Sequence, residues 1–172
     1  MTKLRYPDPE RSIEQQDELV LLAMLIWGEA RGESSLGKLA VANVVRNRVL
    51  AARRGYGLGF REVCLKPWQF SCFNANDPNR AKMLAPKRDE VWVDCFSVAA
   101  DVYEQRAHDN TERATHYHVA GMTKLPKWAE LFTPTVLIGR HQFYRAEAMP
   151  PRDPAASLGK VRRTFRGTRR AA

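Results

Sequence analysis

The residue best placed to do chemistry is Glu29, a carboxylate that continues an apolar helical stripe. It follows Leu25 and Ile26 by four and three positions, so all three share one face of the predicted helix. The apolar surroundings and the negative end of the helix dipole both oppose ionisation of the carboxyl. A carboxylic acid that keeps its proton near neutral pH can protonate the leaving oxygen of a glycosidic bond. The alternative is a helix-end glutamate that pairs with a cation such as Arg31.

Three histidines offer a second kind of chemistry. His116 and His118 are two positions apart in a predicted strand, and His141 lies in a predicted hairpin. Three converging imidazoles would be ligands for zinc. No HExxH pattern supports such a site, and three histidines without a second shell are a weak signal. Zinc is therefore kept as the alternative, and we expect no required cofactor and no metal ligands.

Helices are predicted for the first hundred residues, and the first of them must position Glu29. Ser12 and Gln15 have the spacing of a capping box, which predicts a helix from there through Ala30. Residues 19–27 are apolar nearly all round, as in a buried helix. Further helices are predicted from a cap at Ser34-Ser35 to about Arg54, over residues 60–65, and from a cap at Asp89 onwards.

Beyond about residue 114 the periodicity changes from helical to alternating. Residues 115–119 predict a strand with its two histidines on one face. Residues 136–144 predict a hairpin, because Gly139 stands first in a two-residue loop and suits a type II′ turn. Helices first and a small antiparallel sheet near the C-terminus predict an α+β fold that is mainly helical.

Size and composition are those of one globular domain. The chain has 172 residues, of which 44% are hydrophobic and 27% charged, and its net charge is +9. Six basic residues and no acidic one lie from Lys160 onwards, which leaves the rest of the chain at only +3. We predict a flexible arm over residues 1–11, a body over 12–148 and a basic, proline-containing tail over 149–172. The tail is either a solvated end or a contact for an anionic polymer.

Membrane and disulfide-rich classes are excluded by simple counts. The longest apolar run, residues 19–27, is too short to cross a bilayer, and its flanks do not have the layout of a signal peptide. Cys64, Cys72 and Cys95 are odd in number and form no CxxC pair. We expect them to be free, buried thiols of a protein that folds in a reducing cytosol.

Six short motifs occur in the order and at the spacing of one known family. They are residues 27–33 (WGEARGE), 40–49 (AVANVVRNRV), 69–71 (QFS), 114–118 (ATHYH), 126–129 (PKWA) and 138–144 (IGRHQFY). Together they resemble the SleB-type cell wall hydrolases over about Leu21 to Arg145, which is nearly the whole predicted body. The resemblance implies a lysozyme-like fold, related to lytic transglycosylases, that cuts peptidoglycan between N-acetylmuramic acid and N-acetylglucosamine.

The resemblance also implies which acid is catalytic. The family's catalytic glutamate falls on Glu29, and Glu33 matches the second glutamate of the same motif. A hydrolase of the common type needs two carboxyl groups, for which Glu33 and Asp77 are the candidates. A lytic transglycosylase needs only one, which acts first as acid and then as base. Because one acid is well placed, the lytic transglycosylase is favoured over a muramidase.

Sugar contacts are expected from polar and aromatic side chains that converge on the acid. The candidates for substrate binding are Gln69, Ser71, Tyr117, His118 and Trp128. For the aromatic residues, packing in the core or the sheet is the competing interpretation.

Several interpretations of the cellular role remain open. The chain is expected to act as a monomer on the cell wall after synthesis in the cytoplasm. One route to the wall is that of a phage endolysin, released through holin lesions; another is that the sequence is a piece of a longer protein. The competing functions are a zinc-dependent amidase or endopeptidase and a non-catalytic module that binds wall or nucleic acid.

Overall fold

Five helices precede a three-stranded sheet in the computed structural model, which describes residues 2–52 and 55–146. The helices are α1 (Glu18–Ala30), α2 (Ser35–Leu50), α3 (Phe60–Leu65), α4 (Arg80–Leu84) and α5 (Glu90–Tyr103). The strands are β1 (His116–Val119), β2 (Thr133–Ile138) and β3 (His141–Arg145). This order confirms the predicted α+β class.

Helix α1 is the centre of the helical layer. Residues 19–26 are all at most 3% exposed, and the helix packs against α5 and α2. Asp17 caps its start by accepting the backbone N–H groups of Leu19 and Val20. An all-round apolar helix surrounded by two others places its last turn, which carries Glu29, at the edge of the core.

The predicted start of the first helix is wrong. Gln15 accepts the N–H of Ser12 as a capping box requires, but the box opens only a 3-10 turn, Ile13–Gln15. Gln16 then adopts an extended conformation with ψ of 154°. Its buried side-chain amide bonds to the backbone of Asp8, a partner outside the helix, and this contact interrupts the helical path. The helix therefore begins at Glu18.

The other helix predictions hold with one shorter end. The cap at Ser34, the short helix over residues 60–65 and the cap at Asp89 are confirmed. Helix α2 ends at Leu50, before the predicted end near residue 54, and residues 53 and 54 lie outside the described part. Helix α4 is not predicted, because five residues are too few to show a helical period.

Residues 2–11 form neither helix nor strand but lie against the body. The indole N–H of Trp92 donates to the carbonyl of Arg5 at 2.9 Å, and the ring of Tyr6 stacks on Trp92 at 5.7 Å. The predicted mobility of this arm stays a prediction. The predicted basic tail lies outside the described residues.

The sheet has the strand order β1-β3-β2 and is antiparallel throughout. The hairpin between β2 and β3 is confirmed, and Gly139 has a φ of 56°, as the first loop position of a type II′ turn requires. His118 pairs with Gln142, and Val119 pairs with His141. Neighbours across a pair share a face, so His141 lies on the opposite face from His118.

A polar network joins helix α2 to the segment that leads into β1. The side-chain amide of Asn47 donates to Asp109 and Thr111 and to the carbonyl of Ala114. Arg48 donates from Nε to the carbonyl of Thr115 at 2.7 Å. These buried contacts fix where β1 begins relative to the helices, because buried polar groups must be paired.

In the part of the chain that the structure describes, no helix combines the length and the apolar character that a membrane span needs.

Candidate active site

Glu29 lies in the last turn of α1 and is hydrogen-bonded by groups from two other parts of the chain. Its Oε1 accepts from the Ser71 hydroxyl at 3.3 Å and from the Cys72 backbone N–H at 3.1 Å. Its Oε2 accepts from the Tyr117 hydroxyl at 3.1 Å. Glu29 is partly buried and Ser71 is exposed, so the carboxyl lies at the surface end of this arrangement. Both oxygens are therefore oriented by fixed donors while the group stays accessible.

Gly28 allows the segment of Ser71 and Cys72 to come this close. A Cβ at Gly28 would lie 2.6 Å from Cys72 Cβ and 2.9 Å from Met83 Sδ. Such distances do not occur between real side chains, so any larger residue would push the segment away from α1. The close packing of Cys72 and Met83 against α1 therefore requires glycine at position 28, directly before the catalytic candidate.

Tyr117 reaches Glu29 from the inner face of the sheet. Its ring packs edge-on against His141 at 5.1 Å and beside Phe143 at 5.6 Å. Burial, together with the charge of Glu29, raises the pKa of the Tyr117 hydroxyl well above its usual value. The hydroxyl therefore keeps its proton and acts as a donor to the carboxylate.

Arg48 is a buried cation behind the site that the sequence interpretation missed. Its Nη1 donates to Gln69 Oε1 at 3.0 Å, and its guanidinium lies over the rings of Phe70 and Tyr56 at 4.7 and 5.5 Å. Burial lowers the pKa of Arg48, and the nearby Tyr117 and Glu29 partly offset that effect. The signal for it was a charged residue on the otherwise apolar stripe of α2.

Gln69, unlike Ser71, does not contact Glu29. Its side chain bridges Arg48 and the carbonyl of Tyr56, to which Nε2 donates at 3.3 Å. The amide therefore ties the loop before Ser71 to helix α2. Its contribution to the site is to hold this loop in place.

His118 and Trp128 lie on the outer face of the sheet, away from the Tyr117 side. The ring nitrogens of His118 bond to Tyr144 Oη at 2.9 Å and to the carbonyl of Val119 at 2.8 Å. Trp128 packs against His118 at 5.9 Å and against Tyr144 at 5.4 Å. Both belong to an aromatic cluster that the structure does not bring to Glu29.

The candidate second acids are both engaged elsewhere. The side chain of Glu33 is 4% exposed, and its Oε1 accepts from Arg140 Nε at 2.7 Å. Burial by itself raises the pKa of Glu33, but the hydrogen bonds and charge of Arg140 outweigh it and hold the pKa below the usual 4.5. Asp77 accepts the N–H of Asn79 at 2.7 Å within a turn. Among the described residues, neither carboxyl group accepts hydrogen bonds from two other segments of the chain, as that of Glu29 does.

The geometry contradicts a zinc site made of the three histidines. His116 and His118 point to one face of the sheet and His141 points to the other, so their rings do not converge. His141 is 6% exposed, and its Nδ1 is buried without a hydrogen-bond partner. Across residues 2–52 and 55–146, no group of three or more His, Cys, Asp or Glu side chains could hold a metal ion.

The three cysteines are free and buried, as expected. Burial raises the pKa of Cys64 and Cys72 and raises that of Cys95 to about 12. The thiols are therefore protonated and unreactive. The part of Cys72 that serves the site is its backbone N–H, which no residue-type pattern could have indicated.

Comparisons with known proteins agree on a family and a fold. The model of the cell wall hydrolase family matches residues 32–144, a range that begins three residues after Glu29. The catalytic domain of the germination-specific lytic transglycosylase SleB from Bacillus anthracis is 25% identical, with a TM-score of 0.59 over 74% of this chain and 93% of that one. The catalytic domain of the Bacillus cereus SleB protein is 24% identical, with a TM-score of 0.59 over 84% and 98%. The two structural matches confirm the predicted lysozyme-like fold. No curated protein matches the sequence.

Proposed function

This chain belongs to the cell wall hydrolase family, and on that premise we propose that it cleaves the glycan strand of peptidoglycan with Glu29 as general acid and base. The bond cleaved lies between N-acetylmuramic acid and N-acetylglucosamine. The observation that carries the proposal is the setting of Glu29, whose two oxygens accept from Ser71, Cys72 and Tyr117.

The proposed mechanism uses one carboxyl group twice. Protonated Glu29 gives its proton to the glycosidic oxygen, and the bond from that oxygen to C1 of the muramic acid breaks. The N–H of Cys72 and the two hydroxyl donors then stabilise the carboxylate that results. That carboxylate takes the proton of the 6-hydroxyl as its oxygen closes a 1,6-anhydro ring on C1. Glu29 ends protonated, and no water is consumed.

A lytic transglycosylase is favoured over a hydrolase because the two other candidate acids, Glu33 and Asp77, are bonded to other groups. A hydrolase of the common type needs a second carboxyl group across the bond. Glu33 is paired with Arg140, and Asp77 is bonded within its own turn. The B. anthracis relative, described as a lytic transglycosylase, has the same fold.

Substrate contacts follow from position in the site. Ser71 is exposed beside Glu29, and Tyr117 bonds to its other oxygen, so both are proposed to contact the sugar next to the cleaved bond. Gln69 is proposed to support these contacts by holding the loop before Ser71 in place. His118 lies on the other face of the sheet and is given no contact with the sugar next to the cleaved bond. Trp128, a candidate for substrate binding by its residue type, packs on the outer face of the sheet and is proposed to stack on a sugar ring there.

The cellular setting is proposed in outline. The enzyme acts on the cell wall as a monomer, and a phage endolysin released through holin lesions is the setting that buried, unpaired cysteines support. The basic tail from Lys160 is proposed to bind anionic envelope polymers.

The decisive experiment is mass spectrometry of the fragments released from purified peptidoglycan. We expect 1,6-anhydro-muramic acid ends from the parent protein and no fragments from Glu29→Gln. Glu18→Gln is the matched control, because Glu18 is at the other end of α1 and accepts from the hydroxyl of Tyr103 at 3.2 Å. It should leave the products unchanged.

Other outcomes point to other functions. Reducing muramic acid ends would mean hydrolysis and would return attention to Glu33 and Asp77. Intact strands with freed peptides would indicate an amidase or endopeptidase. Full activity of Glu29→Gln would show that the acid is wrongly assigned, and absence of any product would leave a binding module.

A further inference from the structure

The loop before Ser71 presents an exposed tryptophan that the proposed mechanism does not use. Trp68 is 83% exposed, the highest value among the large apolar side chains described. Its indole lies in open solvent, so almost none of its apolar surface contributes to the core. A side chain of this size is normally buried or at an interface, because it has so much apolar area.

The backbone at Trp68 makes this exposure more costly. Residues 66–69 form a turn in which the N–H of Gln69 donates to the carbonyl of Lys66 at 3.2 Å. Pro67 is second, and Trp68 is third with a φ of 66°, which are the marks of a type II turn. That third position favours glycine, since a Cβ is strained there. The chain thus has a bulky residue at a position where glycine would be more stable.

The turn is nevertheless held firmly. Next to it, Gln69 is bonded to Arg48 and to the carbonyl of Tyr56, and Phe70 is buried beneath the guanidinium of Arg48. The indole is therefore presented on an anchored turn. Strain that is retained at an anchored, exposed residue is a common sign of a functional position.

The position of Trp68 relative to the acid suggests its ligand. Ser71, three residues further along, donates to Glu29 at 3.3 Å. Three residues of chain span at most about 11 Å, so the turn lies within a few sugar rings of the bond to be cleaved. The substrate is a long strand of pyranose rings, and each ring has an apolar C–H face that an indole can cover.

We propose that Trp68 is a stacking platform for a sugar ring of the peptidoglycan strand, away from the cleaved bond. This inference rests on the proposed function for its substrate. Binding at a distant ring contributes free energy that holds the strand in register over Glu29. A protein partner or a membrane surface would also use an exposed indole, but the anchored turn leading directly to Ser71 favours the glycan.

The test measures binding in a protein that cannot cleave. In the Glu29→Gln background, calorimetry with soluble, uncrosslinked glycan strands compares Trp68→Ala, Trp68→Phe and Trp68→Gly. We expect Ala and Gly to weaken binding about tenfold, the size of a lost aromatic anchor, and Phe to keep most of the affinity. Leu131→Ala is the control, because Leu131 is 74% exposed in another loop.

Trp68→Gly separates function from stability. It relieves the positive φ, so its melting temperature should rise while its affinity for glycan falls. If Trp68 were kept for structural reasons, the melting temperature would fall instead, and the inference would be wrong. Unchanged glycan affinity in Trp68→Ala would also overturn the inference. So would a Trp68→Ala variant that keeps its affinity for glycan but no longer binds vesicles of phosphatidylglycerol and phosphatidylethanolamine, since the indole would then contact a membrane.

The outcomes for the platform and for the proposed function are separate. Failure of Glu29→Gln to stop cleavage would contradict the assignment of the acid. The Trp68 variants would then be compared by KM on peptidoglycan, which needs no inactive background. Unchanged affinity in Trp68→Ala, with anhydro products still dependent on Glu29, would contradict only the platform.

Discussion

In the proposed mechanism one carboxyl group donates a proton and then recovers it, and this needs a fixed orientation more than an unusual residue type. Ser71 and Cys72 fix one oxygen of Glu29, and Tyr117 fixes the other. Tyr117 is itself held, since its ring packs against those of His141 and Phe143. Preorganised donors of this kind stabilise charge without having to move during the reaction.

Tyr117→Phe should therefore slow cleavage by about tenfold to a hundredfold, the size of a lost hydrogen bond to a charged group. The effect should fall on kcat more than on KM, because the bond stabilises the carboxylate formed during the reaction. Steady-state kinetics on purified peptidoglycan would measure it. Tyr103→Phe removes a tyrosine–glutamate bond of nearly the same length, to Glu18, and should leave kcat unchanged. Equal loss of kcat in both variants would mean that the Tyr117 effect is one of stability.

The site depends on how closely three elements approach. Helix α1 supplies Glu29, the 3-10 turn Ser71–Phe73 supplies two donors, and β1 supplies Tyr117. The network around Asn47 and Arg48 sets the start of β1. Gly28 sets the distance between α1 and the Ser71–Phe73 turn. No element contains the site alone.

Gly28→Ala should destabilise the protein by about 1–3 kcal/mol, because the new Cβ would overlap Cys72 and Met83. Alanine favours a helix over glycine by itself, so a net loss identifies the clash as the cause. Activity should fall as well, since the Cys72 N–H is displaced from Glu29. Urea unfolding and peptidoglycan clearing would be measured together.

Gly32→Ala is the control for that change. Its Cβ would meet only the far end of Arg140, at 3.4 Å, which can move aside. Its unfolding midpoint and activity should stay near those of the parent. A loss comparable to that of Gly28→Ala would show that glycine matters there for some other reason.

For the whole molecule, two titrating groups, His116 and Glu33, make the free energy of unfolding depend on pH in the acid range. Burial, with a smaller contribution from the charge of Arg48, lowers the pKa of His116 from 6.5 to about 4. The unfolded chain therefore binds a proton at this histidine between pH 6.5 and 4, while the folded protein does not. The pKa of Glu33 is held below 4.5. Its contribution to stability is present above that value and is lost as the pH falls through the folded pKa.

The free energy of unfolding should thus decrease in two stages as the pH is lowered. His116→Phe keeps a ring against Trp128 and Phe132 and should flatten the stage between pH 6.5 and 4. Glu33→Gln should lower stability at neutral pH and flatten the stage below 4.5. Urea midpoints measured from pH 7 to pH 3 would check both. Identical slopes in the parent and in both variants would contradict these assignments.

Local patterns predicted several elements of the fold well. The caps at Ser34 and Asp89, the helix over residues 60–65 and the turn at Gly139 are short-range features, and all are confirmed. The start of α1 was wrong because Gln16 bonds to Asp8 across a bend, a contact that helical periodicity does not report.

The sequence by itself determined that Glu29 is an acid at the end of a buried helix, because apolar spacing and helix direction are written in adjacent residues. It also determined the order of helices and sheet. Only the tertiary structure decided what surrounds that acid: the Cys72 N–H, the buried Arg48 and the split of the histidines between two faces. Those features depend on the distance between segments far apart in the chain. The Cys72 backbone donor and the long-range pairing of β1 with β3 leave no mark in residue type, so packing alone fixes them.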